Sequence, residues 1–301
     1  MNNCFICNWK SNYYLTSNDI WYHTIKKDYN VYKCNKCWVE TIYPMPDYEE
    51  ILSFYPKDIY HSFNTDKLNE TIFDKIIKLW FKNKMIWRIL NRWKMWIPFT
   101  INGTTFLDIW CWDWNMLKLM NKYWWKSYWF ELWDKNFLNN IFYDNQINNV
   151  DFWNLKFDFI RISHVFEHLP NPLEFLEKLK SISNKDTIID IMLPNTKSFS
   201  ANIFWKYWCG RDIPRHLINY NIENLSLFLE NNWFKILNKR FLLSYWVQWS
   251  LLYYVKFKMK NNFLYKLFDS KLFKIVFISL DLLLILFHYW DQIWFRVKIK
   301  V

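Results

Sequence analysis

The chain has 301 residues, a formal net charge of +11, 22 tryptophans and 2 glycines. This length suffices for one α/β domain and a small accessory unit. Scattered lysines favour a solvated basic surface, so no nucleic-acid partner is expected. No charged segment followed by an apolar run opens at Met1, so we expect a cytoplasmic protein without a secretory signal.

The scarcity of glycine is improbable for an α/β domain, because glycine makes the φ > 0 turns and close approaches that other residues avoid. An ordinary chain of this length would hold roughly 20 glycines. UGA is a stop codon in the standard code, but it is read as tryptophan in one variant code and as glycine in another. Since tryptophans such as Trp9, Trp38 and Trp233 stand where turn glycines are expected, we hypothesise that UGA glycine codons appear here as tryptophan. A truly tryptophan-rich protein is the alternative.

Residues 1–48 contain two cysteine pairs, Cys4-x2-Cys7 and Cys34-x2-Cys37. Two such knuckles close a tetrahedral thiolate site on Zn²⁺. Because structural disulfides are disfavoured in the cytoplasm, metal is preferred to two bridges or a redox pair. The segment therefore predicts a small zinc-ribbon-like module with a structural ion.

Residues 49–100 have helical periodicity and predict a linker between the module and a domain over 101–301. From residue 105 onward strand-like and helix-like runs alternate, which favours a mostly parallel sheet with helices on both faces. Strands are predicted at 105–109, 127–131, 157–162, 187–192, 234–240 and 294–300. Helices are predicted at 115–123, 136–143, 173–181 and 224–231.

An apolar helical insertion is predicted at 241–290. Its longest run, 275–287, is shorter than the roughly 20 residues of a spanning helix and contains Asp281. A buried helix or one in peripheral contact with a membrane surface is therefore preferred to a span.

Residues 106–115 read FLDIWCWDWN, which becomes FLDIGCGDGN when the three tryptophans are read as glycine. In that form the segment resembles the first motif of class I S-adenosylmethionine-dependent methyltransferases. The resemblance implies a Rossmann-like α/β domain with a seven-stranded sheet, and cofactor contacts from Asp108, Trp110, Cys111, Trp112 and Trp114. Glycine there lets backbone amides approach the cofactor. Three indoles would obstruct the pocket, so the chain as printed should bind cofactor poorly.

Further cofactor contacts follow from position along the chain. Glu131 lies about 20 residues beyond the loop, where an acidic side chain accepts hydrogen bonds from the ribose. The resemblance places Asp151 and Phe152 on the adenine side. It also implies that His164 closes over the cofactor.

Residues 157–172 (FDFIRISHVFEHLPNP) resemble the fourth-strand motif of the same family. The cysteine knuckles and residues 54–56 (FYP) are similar to a subgroup with a zinc module, among enzymes that act on sugars and glycan precursors. This likeness implies a small-molecule acceptor: a sugar, a sugar nucleotide or a glycan precursor.

Methyl transfer needs a group that deprotonates the acceptor, and histidine suits that task near neutral pH. His164, His168 and His216 are the candidates. His216 is favoured because it resembles the catalytic histidine of zinc-module sugar methyltransferases, and His168 is the second catalytic candidate. A packing or capping role remains open for each of them.

Two other functions remain open. A relative that keeps the fold but serves as a binding or scaffold protein would have the same elements. A dinucleotide-dependent enzyme would have a G-x-G-x-x-G loop, whereas the restored loop is G-C-G-D-G.

Overall fold

A computed structural model describes residues 3–55, 105–109, 126–130, 155–242, 246–270, 273, 276–277 and 290–300. The predicted helices 115–123 and 136–143 lie outside the described residues. So do the linker beyond residue 55 and most of the run 275–287.

The described elements form two sheets joined by short helices. In chain order they are β1 (Ser11–Ser17), β2 (Tyr29–Cys34), β3 (Glu40–Ile42), α1 (Tyr48–Ser53), β4 (Thr105–Ile109), β5 (Lys126–Phe130), β6 (Phe157–Ser163), α2 (Pro172–Ser181), β7 (Ser183–Pro194), α3 (Phe199–Phe204), β8 (Ile218–Asn219), α4 (Ile222–Asn231), β9 (Phe234–Leu242), α5 (Trp246–Tyr253), α6 (Asn262–Phe268) and β10 (Gln292–Ile299). Three single 3₁₀ turns lie at Phe166–His168, Trp205–Tyr207 and Cys209–Arg211, and a π-helical turn, Tyr254–Met259, continues α5.

The larger sheet has the strand order β5-β4-β6-β7-β10-β9. Strands β5, β4, β6 and β7 pair in parallel, while β10 runs antiparallel to both β7 and β9. The prediction of a mostly parallel α/β sheet is therefore confirmed. All six strands whose positions were predicted have counterparts in this sheet, and the described residues contain no seventh strand of it.

The six predicted strands and the predicted helices 173–181 and 224–231 agree with the observed bounds to within a few residues, because their local signals are strong. Strand β6 is buried at five of its seven positions, with only Asp158 and Arg161 half-buried, as expected for a central parallel strand. Helix α2 begins with Pro172 after the cap Asn171, whose side chain accepts from the Glu174 amide. Helix α4 has a capping box between Asn221 and Asn224.

The cysteine module forms the smaller sheet, ordered β1-β2-β3-β8. Its last strand comes from far along the chain, since β8 pairs Asn219 with Glu40 and Ile218 with Thr41. The module also shares its core with the larger domain: Phe5 contacts Phe228 of α4 edge to face at 5.3 Å, and buried residues of both sheets belong to one cluster. The sequence did not predict this shared sheet, because a two-residue strand has no periodic signal.

The carboxyl-terminal part adds α5, its π-helical extension and α6 before β10 closes the larger sheet. Arg296 of β10 is bonded to the Asp190 carboxylate of β7 at 2.7 and 2.8 Å, which fixes the antiparallel register. Within the described residues, none of the helices has the length and apolarity that crossing a membrane requires.

Candidate functional site

At the carboxyl end of β4 the strand order of the larger sheet reverses. The next strand along the chain, β5, lies on one side of β4, and β6 lies on the other. In open parallel sheets such a switch point opens a crevice at the carboxyl ends of the strands, where nucleotide-type ligands bind. The predicted cofactor loop follows β4 directly in the sequence, and its residues lie outside the described part of the chain.

Asp108 lies near the end of β4 and is fully buried. Its Oδ2 accepts a hydrogen bond of 2.8 Å from the guanidinium of Arg161, its neighbour on β6. The ion pair joins the two central strands at the crevice. The other predicted cofactor residues except His164 lie outside the described residues: Trp110, Cys111, Trp112, Trp114, Glu131, Asp151 and Phe152.

A second polar group follows the carboxyl end of β6. His164 has a positive φ of 56°, and its Nδ1 lies 3.2 Å from Oε1 of Glu167. Glu167 is fully buried, and its Oε2 has no hydrogen-bond partner. Because an unsatisfied buried carboxylate oxygen is costly, this position favours a proton or a positive charge nearby.

His168 packs inside the same group. Its Nδ1 lies 3.0 Å from the carbonyl oxygen of Arg215 and 2.8 Å from the hydroxyl of Tyr55. Burial, and to a smaller extent the neighbouring His216, lowers the pKa of His168 well below its ordinary value. The ring of His168 is therefore neutral at pH 7. The sequence predicted no catalytic or binding role for Tyr55 or Glu167; Tyr55 gains its place only through a contact across the fold, whereas Glu167 contacts His164 within one turn of chain.

His216 completes the histidine cluster, which we define as Glu167, His168 and His216. Its Nδ1 donates to the carbonyl oxygen of Gly210 at 2.9 Å, so Nε2 carries the lone pair. That Nε2 lies 3.9 Å from Oε1 of Glu167, and the His168 and His216 rings are 4.6 Å apart. One donor atom from each of the three residues lies within 4.8 Å of the others, so the cluster is able to hold a proton or a cation.

The four cysteines of the module come together as predicted. Sγ of Cys4 lies 3.5 Å from Sγ of Cys37, and the same distance separates Cys7 from Cys34. All four sulfurs are within 4.8 Å of one another. A tetrahedral zinc with Zn–S bonds of about 2.3 Å needs S–S distances of roughly 3.8 Å, so the donor set fits that ion. The hydrogen bond between Cys4 and Cys37 lowers the pKa of Cys4 and raises that of Cys37, so these two thiols share one proton.

Three tryptophans occupy backbone conformations that favour glycine. Trp38, Trp205 and Trp233 have φ values of 62°, 47° and 70°, and all three side chains are exposed. At the first cysteine knuckle the positive φ belongs to Asn8 and not to Trp9, so the backbone there gives no support to a turn glycine at Trp9.

Trp208 is different. Its ring is buried, its Nε1 donates to Asp291 at 3.0 Å, and a Cβ on Gly210 would meet the same ring at 2.3 Å. Trp208 therefore belongs to the core, packed on a position that needs glycine.

Comparison with known proteins shows which family the larger domain matches. The family model described as a methyltransferase domain matches residues 67–239. No curated protein matches the chain. Among solved structures, the chain is similar to a SAM-dependent methyltransferase from Archaeoglobus fulgidus, with 18% identity and a TM-score of 0.41 over 76% of this chain and 100% of that one. It is also similar to the cyclopropane synthase MmaA2 from Mycobacterium tuberculosis, with 13% identity and a TM-score of 0.37 over 82% and 93% of the two chains.

The structural likenesses are distant, and the family rests on the sequence match, which spans more than half of the 301 residues. It covers the switch point of the sheet and the histidine cluster alike. The chain belongs to the methyltransferase-domain family.

Proposed function

We propose that the protein transfers a methyl group from S-adenosylmethionine to a sugar, a sugar nucleotide or a glycan precursor, with His216 as the general base. The observation that carries the proposal is the meeting of Glu167, His168 and His216 beyond the end of β6, beside the crevice at β4. A proton acceptor beside a cofactor crevice is what methyl transfer to a hydroxyl requires.

The described residues fit a nucleotide-type cofactor at the crevice. The switch point lies at the end of β4, and Asp108 is held there by Arg161. When bound, S-adenosylmethionine supplies an electrophilic methyl group, so the protein has mainly to position the acceptor and remove its proton. His164, at the ends of β6 and β7, would lie over the cofactor.

The proton path follows from the tautomer of His216. Because Nδ1 donates to the Gly210 carbonyl, Nε2 is the atom that takes the proton from the acceptor. The resulting imidazolium faces the buried carboxylate of Glu167 at 3.9 Å, which stabilises its charge. Neutral His168 packs against the ring and keeps its place without competing for the proton.

The acceptor class is supported by a cleft between the cysteine module, the turn Trp205–Tyr207 and the π-helical turn, although its described lining includes no residue of the histidine cluster. It has a volume of about 410 Å³, which is within the range of small-ligand sites. Hydroxyl, amide and carboxylate groups of the module face aromatic rings and a lysine, and the lining includes Thr16, Asn18, Asp28, Lys206, Tyr207 and Phe257. Polar groups opposite apolar ring faces suit a sugar, which has both kinds of surface.

We also propose that Trp38, Trp205 and Trp233, like the three loop tryptophans, stand for glycine codons. The positive φ values support this reading, since only glycine adopts such angles without steric cost. Reading the gene tests it directly. We expect UGA at positions 38, 110, 112, 114, 205 and 233, and UGG at 208, whereas UGG at all seven positions would remove the hypothesis.

The function is tested in protein with glycine at these six positions, because indoles would obstruct the loop. S-adenosylmethionine should bind in a calorimeter, and product S-adenosylhomocysteine should form with a sugar-nucleotide acceptor. His216→Ala should abolish turnover while leaving cofactor binding intact. Lys185→Ala, an exposed change at the opposite end of β7, serves as control.

Each alternative gives a different result in these measurements. No heat on adding the cofactor would favour the scaffold function. Unchanged turnover in His216→Ala would remove His216 from the mechanism.

A further inference from the structure

The segment that carries His216, residues 210–224, is attached to the cysteine module at several points. Strand β8 within it pairs with β3, and the Ile42 amide donates to the Leu217 carbonyl at 3.0 Å. The residues directly after His216 therefore belong to the sheet of the module. The module is thus placed to control where His216 lies.

The first charged link joins Arg211 to Glu40. The guanidinium donates to both carboxylate oxygens, at 2.9 and 3.2 Å, and both side chains are almost completely buried. A bidentate pair fixes direction as well as distance. Lys33 adds a second cation at 3.3 Å from Glu40.

The second charged link joins Arg215 to Asp19. Nη2 of Arg215 lies 2.5 Å from Asp19 and 2.7 Å from Asp212. Asp19 also accepts from the amides of Tyr22 and Thr24, so it is fixed within the module. Since the Arg215 carbonyl contacts His168, this link holds both histidines.

Between these links the chain makes one tight turn. The His216 amide donates to the Asp212 carbonyl at 2.9 Å, and its Nδ1 donates to Gly210. Beyond β8, the side chains of Asn221 and Asn224 donate to the carbonyl of Cys37 at 3.4 and 3.1 Å. A cysteine knuckle thus contacts the far end of the same segment.

We propose that Glu40 and Asp19 are positioning residues for His216, acting through Arg211 and Arg215. The inference rests on the proposed role of His216 as base. Neutralising Glu40 removes the carboxylate that pairs with the buried Arg211, and neutralising Asp19 leaves Arg215 paired only with Asp212, which belongs to the same segment. Either change therefore weakens the attachment of the segment to the module and favours its opening. An opened segment carries the His216 ring away from Glu167 and His168.

The test measures how accessible the His216 ring is to a chemical reagent, and not the rate of methyl transfer. Diethylpyrocarbonate modifies accessible, unprotonated imidazoles, and peptide mass spectrometry gives the rate at His216, with N-acetylhistidine as internal standard. His216 is 8% exposed, so its rate in the unaltered protein should be low. Glu40→Gln and Asp19→Asn should each raise that rate about tenfold or more, because local opening becomes more frequent.

Two variants make the test specific. Glu50→Gln is the matched control, since Glu50 belongs to α1 and pairs with Lys27 and Tyr29; its His216 rate should not change. Glu40→Asp keeps the charge and should restore most of the protection that Glu40→Gln loses. Hydrogen exchange of β1 and β2 reports whether the module stays folded.

The outcomes separate this inference from the proposed function. If His216 reacts at the unaltered rate in both Glu40→Gln and Asp19→Asn, the positioning role is wrong, whatever the turnover. If Glu40→Gln unfolds β1 and β2, Asp19→Asn and Arg211→Lys decide in its place. A protected His216 without turnover would instead count against the general-base proposal alone.

Discussion

The cysteine cluster and the histidine cluster both contact residues 210–224, yet they are assembled in different ways. The cysteines come as two pairs, each closed within one short turn. The histidine cluster joins two separate parts of the chain, Glu167 with His168 on one and His216 on the other. Tyr55 contacts His168 from a third part.

The two clusters also differ in the chemistry that their ligands allow. Four like ligands make a closed site suited to a structural ion. A carboxylate with two imidazoles makes a site in which one nitrogen stays available for a proton. We therefore expect the first cluster to stabilise the fold and the second to serve the chemistry.

The largest effect is expected when the cysteine cluster is broken. Cys34→Ser should abolish metal binding and unfold β1 to β3, because structural zinc supplies about 10 to 16 kcal/mol in small modules, comparable with the stability of a whole domain. Elemental analysis and hydrogen exchange measure the two effects. Cys209→Ser, at a buried cysteine outside the cluster, should leave the metal content unchanged. Full metal content in Cys34→Ser would make the four-cysteine site wrong.

Breaking the histidine cluster should instead remove chemistry and spare the fold. In the glycine form, His216→Ala should lower kcat by about 10² to 10⁴, the usual contribution of a general base. Circular dichroism and thermal unfolding should stay near those of the parent protein. A large loss of stability with little loss of kcat would reverse the division between the two clusters.

These two clusters also show how much the sequence was able to predict. The sequence predicts the cysteine pairs, the parallel strands and the capped helices α2 and α4, because the residues that form each of these features lie close together along the chain. The links from Arg211 to Glu40 and from Arg215 to Asp19 have no local signal, since the partners are more than 150 residues apart. Glu167 could have been suspected only from its place beside His168 in the motif.

A smaller effect concerns pH. The folded-state pKa of His168 lies well below its ordinary value, mainly through burial, so the unfolded chain binds a proton near pH 6.5 that the folded chain refuses. Stability from this group is complete above that pH and is lost as the pH falls. Between pH 7.5 and 5.5 the loss should be about 1.4 kcal/mol. Urea unfolding measures it, and His168→Asn should remove that part of the slope. An unchanged slope in His168→Asn would show that folding does not lower the pKa of His168.

The smallest effect is the change in the free energy of unfolding when either of two exposed tryptophans is replaced by glycine. Trp233→Gly should stabilise the chain by about 1 kcal/mol, because its φ of 70° is costly for any side chain with a Cβ. Trp249→Gly is the matched control, since Trp249 is also exposed but lies within helix α5, where glycine costs roughly 0.5 kcal/mol relative to larger residues.

Opposite signs in urea unfolding would show that the backbone at Trp233 was shaped for glycine. Equal destabilisation by both changes would mean that the indole at 233 contributes more by packing than its φ costs. The same pair of measurements applies to Trp38 and Trp205, whose φ values are also positive. Turn glycines are thus recognisable by the free energy that the indole costs, independently of the gene.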